Sequence, residues 1–168
     1  ITVSLIVSTL MNISKLTVSV VTPSYNQARF LKECLDSVRV QSHAPIEHFV
    51  FDPGSTDGSI EIAAGALGVT LVNEADSGQA DAVNKGFLRA KGEIIAWINS
   101  DDCYFDETVF EQVVDCFDSD PSLDMIFSKG IYIDEVGEYL RDAHILEGET
   151  DLLSELQMQV GILQPAVF

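Results

Sequence analysis

Residues 16–38 read LTVSVVTPSYNQARFLKECLDSV, and two periodicities meet inside this stretch. Leu16–Thr22 (LTVSVVT) is β-branched and apolar, the pattern of a buried strand. From Gln27 to Gln41 the apolar residues Leu31, Cys34, Leu35 and Val38 recur at helical spacing. Thr22-Pro23-Ser24-Tyr25-Asn26 joins the two, so the chain turns from buried strand to amphipathic helix within a few residues. A buried strand followed directly by a helix is half of a βαβ unit.

The same alternation repeats downstream. Ile46–Asp52 (IEHFVFD) is a second strand, stopped by Pro53-Gly54, and Ser55-Thr56-Asp57 offers caps for a helix reaching about Ala66. Val69–Asn73 is a short third strand. Ser77-Gly78 breaks the chain before a helix over Gln79–Ala90 with Val83, Phe87 and Ala90 inward, and Lys91-Gly92 stops it. Glu93–Asn99 (EIIAWIN) is a fourth strand. Asp106–Phe117 is a helix with Val109, Phe110, Val113, Val114 and Phe117 on one side. Asp124–Phe127 and Ile131–Ile133 read as strands, with a turn at Glu135-Val136-Gly137, and Leu152–Met158 as a helix. Four alternations with short connections predict an α/β fold with a mostly parallel sheet flanked by helices.

The chain has 168 residues, 46% of them hydrophobic, enough for one domain with a core. Residues 1–15 read as a leader. Met11 is a candidate natural start with residues 1–10 upstream of it, and a genuine extra strand is the alternative. No apolar run approaches the ~20 residues of a membrane helix, so no membrane span is expected. Cys34, Cys103 and Cys116 have neither metal-ligand spacing nor even pairing, which suits reduced thiols and a cytoplasmic protein. Cys34 and Cys116 fall at core-facing helical positions. The net charge of −18 argues against nucleic acid and anionic membrane as partners. It is unevenly placed: residues 1–92 hold seven basic and nine acidic side chains, residues 93–168 two and eighteen. An anionic ligand is expected to lean on the first half and to need a cation against the second. A solvated acidic surface accounts for most of the excess without any function.

In open α/β sheets ligands bind beyond the carboxyl ends of the strands. Three such ends carry unusual polar groups: Thr22–Asn26, Asp52 and Asn99-Ser100-Asp101-Asp102. Adjacent carboxylates after a buried strand repel each other and resist desolvation, and a hard divalent cation such as Mg²⁺ or Mn²⁺ relieves both costs. Capping of the next helix by Asp102 or Asp106 is the plainer alternative. Asp52 is placed either to cap the Gly-Ser-Thr turn or to accept the imide N–H of a pyrimidine. Tyr25 is either a platform for that base or ordinary half-buried packing. The Gly54-Ser55-Thr56-Asp57-Gly58 run lacks the ending of a P-loop and the spacing of a dinucleotide fingerprint. His43, His48 and His144 are not assigned a role; His48 alternates with apolar residues and reads as packed or edge-exposed.

The strings VTPSYNQARFLKECLDSV, FDPGSTDGSIEIA, DSGQADAVNKGFLRAKGEIIAWINSDD and QPAVF resemble family 2 glycosyltransferases of the GT-A fold, from Leu16 to Phe168. The resemblance implies a Rossmann-like nucleotide-diphospho-sugar transferase. It implies transfer of a sugar from a nucleoside-diphosphate donor, often UDP-linked, to an acceptor, with inversion at the anomeric carbon. It further implies that Pro23 and Tyr25 line the base pocket and that Asp52 bonds the base. Asp101 and Asp102 would form the acidic motif, contacting the ribose and holding Mn²⁺ or Mg²⁺ against the diphosphate. The block Gly78–Gly86, with Gln79, Asn84 and Lys85, would lie near the donor. The acceptor, whether sugar, polysaccharide or lipid-linked glycan, is left open.

Departures from the family pattern matter. Asn99 stands at the first acid of the common Asp-x-Asp form, which leaves open which of Asp101 and Asp102 holds metal. Val83 stands where many relatives carry Arg, and Lys85 is either its replacement or merely solvated. Ser128-Lys129 replaces a frequent Gly-Asp. The resemblance places the catalytic base beyond Phe168, so the chain is expected to stop short of it, with Asp134 or Glu135 as the fallback. The apolar ending Gln164–Phe168 then suggests a homo-oligomer that buries it, and a donor-binding module with little transferase activity is the alternative function. A nucleotidyltransferase, which makes nucleotide sugars on a similar sheet, fits poorly because Thr22–Asn26 is neither Gly-rich nor basic.

Overall fold

The computed structural model describes residues 16–126 and 129–143. The chain runs β1 (Val18–Pro23), α1 (Ala28–Arg39), β2 (Glu47–Phe51), α2 (Ser59–Gly65), β3 (Val69–Val72), α3 (Gln79–Arg89), β4 (Ile94–Trp97), α4 (Val109–Ser119), β5 (Ile131–Ile133) and β6 (Tyr139–Asp142). The first four strands form one sheet in the order β3-β2-β1-β4, and every neighbouring pair is parallel. All six residues of β1 are buried, as suits a strand with neighbours on both edges and helices on both faces, and its two hydroxyls are bonded, Ser19 to Glu47 and Thr22 to His48.

On one face, Val18 and Val20 of β1 pack with Ile94 and Ala96 of β4 beneath Cys34 and Val38 of α1 and Phe110, Val113 and Val114 of α4. Beside them Leu31 and Leu35 of α1 meet Val50 of β2 and Ala63 of α2. The opposite face carries α3, whose Ala82 seats against Val21 and Phe51. The approach there is close. A Cβ on Gly86 would collide with both methyls of Val21 and lie 3.1 Å from the Phe51 ring.

The sheet places the functional strand ends. From β1 the chain steps outward to β2 and β3, then crosses back under the sheet through α3 to put β4 on the other side of β1. Strand order therefore reverses between β1 and β4, the place where the carboxyl ends of a doubly wound sheet open a ligand crevice. Thr22–Asn26 and Asn99–Asp102 are the segments that leave those two strands.

Four sequence expectations need correction. Residues 124–126 form no strand; Asp120 instead turns the chain by accepting from the Ser122 N–H and hydroxyl, and Ile126 reaches the core as an isolated side chain. Tyr139–Asp142 is a strand, pairing antiparallel with Ile131–Ile133 in a hairpin exposed throughout. Phe87 is 40% exposed, because the close seat of Gly86 aims the neighbouring position outward. Cys116 is exposed, one step off the buried stripe of α4. The readings of residues 1–15, Leu152–Met158 and Gln164–Phe168 lie outside the described residues.

Gly86→Ala is expected to destabilise the chain by about 1–3 kcal/mol, the usual cost of overpacking. Urea denaturation measures this, and an unchanged midpoint would mean that α3 is free to move off the sheet.

Candidate functional site

The two loops beyond β1 and β2 are stitched into one platform. Asp52, 1% exposed at the end of β2, accepts through Oδ1 from the backbone N–H groups of Gly54 (2.9 Å) and Ser55 (2.7 Å). Its Oδ2 accepts from the Ser55 hydroxyl at 2.7 Å, and Ser55 Oγ in turn accepts from the Asn26 N–H at 2.8 Å. Asn26 returns the contact by accepting from the Thr56 N–H. Helix α1 has no side-chain cap from its own Gln27. The facing loop supplies one instead: Ser59 Oγ accepts from the Gln27 N–H and Asp57 Oδ2 from the Ala28 N–H. Of the two readings of Asp52, the turn-capping one is realised in this geometry.

Pro23 is buried in register with Phe51, so the ends of β1 and β2 lie side by side. Tyr25, two residues on, is 61% exposed at the rim and is not half-buried packing. The Ser24 hydroxyl between them is buried and makes no hydrogen bond. Such a group at a functional strand end suits a polar ligand.

The acidic pair follows β4. Asp101 is exposed and Asp102 half-buried, and both line a cleft of about 190 Å³ with Phe30, Glu33 and Cys34 of α1 and with the β5–β6 turn. Burial and the neighbouring Asp101 push the Asp102 carboxyl above its ordinary range, and a hydrogen bond from Asn99 opposes them. Asp102 does not cap α4. The first turn of α4 is served instead by Gln41, just after α1, whose Oε1 accepts from the Phe110 N–H at 3.0 Å, while Asp106 Oδ1 accepts from the N–H and hydroxyl of Thr108 ahead of the helix. Among the described residues no three His, Cys, Asp or Glu side chains gather as a metal site. Two carboxylates that strain each other do fit Mg²⁺ or Mn²⁺, which commonly takes one or two protein carboxylates and completes its shell with phosphate and water.

The remaining expected residues divide. Gln79, first in α3, donates to Asn99 Oδ1 at 2.6 Å, and Asn99 donates to Asp102 Oδ2 at 3.1 Å, so α3 is tied to the acidic pair. Asn84 is exposed on α3. Lys85 is not merely solvated. Its Nζ donates to the Ala75 carbonyl at 2.8 Å and pairs with Asp81 at 3.0 Å, which clamps the preceding loop onto the helix. Asp134 is used within the hairpin, accepting from Val136 and Glu138 N–H groups, which hold its carboxyl below the usual range. Glu135 pairs with Arg29 of α1 at 2.6 Å.

The sequence reading singled out Asn99 but gave it no role, and it missed Trp97, whose indole N–H donates to Asn99 Oδ1 at 3.1 Å. An amide standing where an acid was expected, two residues after a tryptophan, was the available signal. His48 is packed, not edge-exposed. It bonds Thr22 Oγ1 at 2.9 Å, and burial pushes its pKa down to about 3, so it stays neutral and takes no part in acid–base work near pH 7.

Residues 19–163 match the family model described as glycosyl transferase family 2. The chain belongs to that family. Over 104 residues it is 38% identical to the glycosyltransferase GlyG of Streptococcus pneumoniae, covering 57% of this chain and 35% of GlyG. An uncharacterized glycosyltransferase of Nostoc is 35% identical over 92 residues, covering 52% of this chain and 29% of the relative. Among solved structures, the mannosyltransferase PcManGT of Pyrobaculum calidifontis, in complex with GDP-Man and Mn²⁺, superposes with a TM-score of 0.59 at 29% identity. That match covers 66% of this chain and 34% of PcManGT. The family 2 chain thus spans about a third of the length of these relatives. Its sheet and flanking helices are those of the GT-A fold.

Two stability changes follow from the platform and the acidic pair. Asp52→Ala strands three donors and is expected to cost about 3 kcal/mol, given the ~1.5–3 kcal/mol typical of hydrogen bonds to charged groups; chemical denaturation within ~0.5 kcal/mol of wild type would contradict the network. Asp102 has the opposite sign. A carboxyl whose pKa is raised by folding adds stability at low pH and loses it as pH rises through the folded value, so the metal-free chain carries a cost at neutral pH. Asp102→Asn is expected to raise the metal-free melting temperature at pH 7, with the gain vanishing as wild-type Asp102 becomes protonated in acid. A gain that persists unchanged there would assign it to something other than charge.

Proposed function

We propose that this chain carries the donor half of a metal-dependent, inverting glycosyltransferase that uses a nucleoside-diphosphate sugar. The observation that carries the reading is the Asp101–Asp102 pair at the strand-order reversal, with Asp101 exposed, Asp102 half-buried and pushed toward its neutral form, and the first turn of α4 served by Gln41 instead. Membership of glycosyl transferase family 2 supports the reaction class. The complex of PcManGT with GDP-Man and Mn²⁺ supports the type of donor and cofactor.

In this reading Tyr25 gives the base a face and Pro23 the wall behind it. Asp52 holds the loop beneath and offers its remaining lone pair to the base N–H. Asp101 and Asp102 hold Mn²⁺ or Mg²⁺, while Gln79, Asn84 and Lys85 border the donor from α3. UDP is the proposed nucleotide and GDP the competing one. The reaction breaks the bond between the anomeric carbon and the diphosphate oxygen, which leaves with the electron pair. The acceptor hydroxyl attacks from the opposite face as a base removes its proton. The divalent ion, when bound, supplies Lewis-acid stabilisation of the diphosphate leaving group. Asp134 and Glu135 are occupied in the hairpin and its ion pair and are not proposed as that base.

The acceptor is proposed only as a hydroxyl-bearing glycan or lipid-linked glycan. The three unpaired cysteines suit a reducing, cytoplasmic setting. Among the described residues no helix is long and apolar enough to cross a membrane.

Calorimetric titration tests the reading. UDP is expected to bind at least ~10-fold more tightly with Mn²⁺ than with excess chelator, a difference of about 1.4 kcal/mol. Equal affinity in both conditions would sink the metal-bridged site, and a preference for GDP over UDP would correct the nucleotide.

A further inference from the structure

We propose that Asn99 is the positioning residue of the acidic pair: its side-chain amide orients Asp102 and couples the pair to the first turn of α3. The inference rests on the functional reading above and deepens it. Its basis is the directionality of three hydrogen bonds. The Trp97 indole N–H can only donate, so the Asn99 atom facing it at 3.1 Å must be the carbonyl oxygen. Gln79 Nε2 donates to that same oxygen at 2.6 Å and fills its second lone pair. The amide nitrogen is thereby forced toward Asp102, where it donates to Oδ2 at 3.1 Å.

The backbone of Asn99 is held as well. Its carbonyl accepts from the Asp102 N–H at 3.1 Å and from the buried Cys34 thiol at 3.3 Å. The residue is therefore fixed from α1, α3 and β4 together, while it grips one oxygen of Asp102.

An aspartate at 99 would serve Trp97 and Gln79 equally well. It would offer Asp102 no proton, and two carboxylates would face each other across the present hydrogen bond. The amide is thus what lets Asp102 be held charged in a fixed direction beside the exposed Asp101. Positioning and simple electrostatics predict opposite signs for Asn99→Asp. An added negative charge should tighten cation binding by Coulomb attraction alone. Loss of the oriented hydrogen bond should weaken it.

Trp97 is the single tryptophan of the chain, and it touches the network directly, so its emission reads the site without a label. The experiment titrates Mn²⁺ into the UDP-saturated protein, following both Trp97 emission and heat. Wild type is expected to bind with a change in emission. Asn99→Asp and Asn99→Ala are expected to lose about tenfold in Mn²⁺ affinity, as one oriented hydrogen bond to a charged group would account for. Gln79→Ala, an exposed position that leaves the core intact, is expected to lose a few-fold and to shift Trp97 emission already in the metal-free chain. That shift is a signature that a merely structural role of Gln79 in α3 would not produce. Should the Asn99 variants fail to fold, Gln79→Ala decides alone: unchanged affinity and emission overturn the inference. Asn99→Asp binding Mn²⁺ as tightly as wild type, or more tightly, also overturns it. A wild type that binds UDP with Mn²⁺ while every variant matches it removes only the role of Asn99. A wild type indifferent to Mn²⁺ sinks the functional reading, and the positioning role with it.

Discussion

Strand β1 has no exposed residue, and the rest of the fold follows from covering it. A strand buried on both faces and both edges needs two strand neighbours and helices above and below. With parallel neighbours, each connection must cross over through a helix. The chain meets this by building β2 and β3 to one side and returning through α3 to place β4 on the other. That return is the strand-order reversal, so burial of Val18–Pro23 and creation of the crevice between the β1 and β4 ends are one event. The tight seat of Gly86 on Val21 belongs to the same requirement, since α3 must lie close enough to cover the second face.

A crevice becomes a site only when its loops are held, and here side chains of one loop cap the backbone of another. The N–H groups of Gln27 and Ala28 at the start of α1 are satisfied by Ser59 and Asp57. The loop that delivers those caps is in turn anchored by buried Asp52. Rigid support of this kind fixes where Tyr25 stands at the rim. The acidic end of the crevice is treated differently. Asp102 is pushed toward its neutral form by burial and by Asp101, and only the Asn99 amide pulls it back. At one end of the crevice the carboxylate is thus satisfied by the protein alone, while the other end retains an electrostatic cost, as sites specialised for a ligand commonly do.

The legible parts of the sequence were those in which one physical signal dominated. The β-branched and apolar stretches of β1 and β4 and the helical stripes of α1 and α4 gave the α/β alternation. The adjacent carboxylates after β4 stood out because their repulsion asks for a reason. The signal failed where neighbours decide. Phe87 has a core-like position on a helical wheel, yet Gly86 beside it takes the contact with the sheet. Tyr139–Asp142 mixes aromatic, aliphatic and charged residues in a hairpin exposed on all sides, so no buried face imposes a period. The engagement of Lys85 with Ala75 and Asp81 depends on a loop path, and the Asn99 network on amide orientation; neither is visible from residue types.

The distribution of charge explains why an added cation suits this crevice better than a basic side chain would. Among the described residues Arg29, Lys32, Arg39, Lys85 and Arg89 each face a carboxylate: Glu135, Asp36 for two of them, Asp81 and Glu74. These pairs are partly or largely exposed, and such pairs are worth no more than about 1 kcal/mol, so any of these cations can leave its partner at small cost. Leaving does not help a diphosphate. A lysine that turns to a phosphate uncovers the carboxylate it had neutralised, and the net local charge is unchanged. Residues 93–143, which hold two basic and fourteen acidic side chains, sharpen the problem where β4 delivers Asp101 and Asp102. Rearranging charges already present cannot make that end of the crevice attractive to an anion; a divalent ion from solution can. In the proposed reading such an ion would also relieve the repulsion between the two aspartates, so the same ion would lower the cost carried by Asp102 and supply the attraction for the ligand.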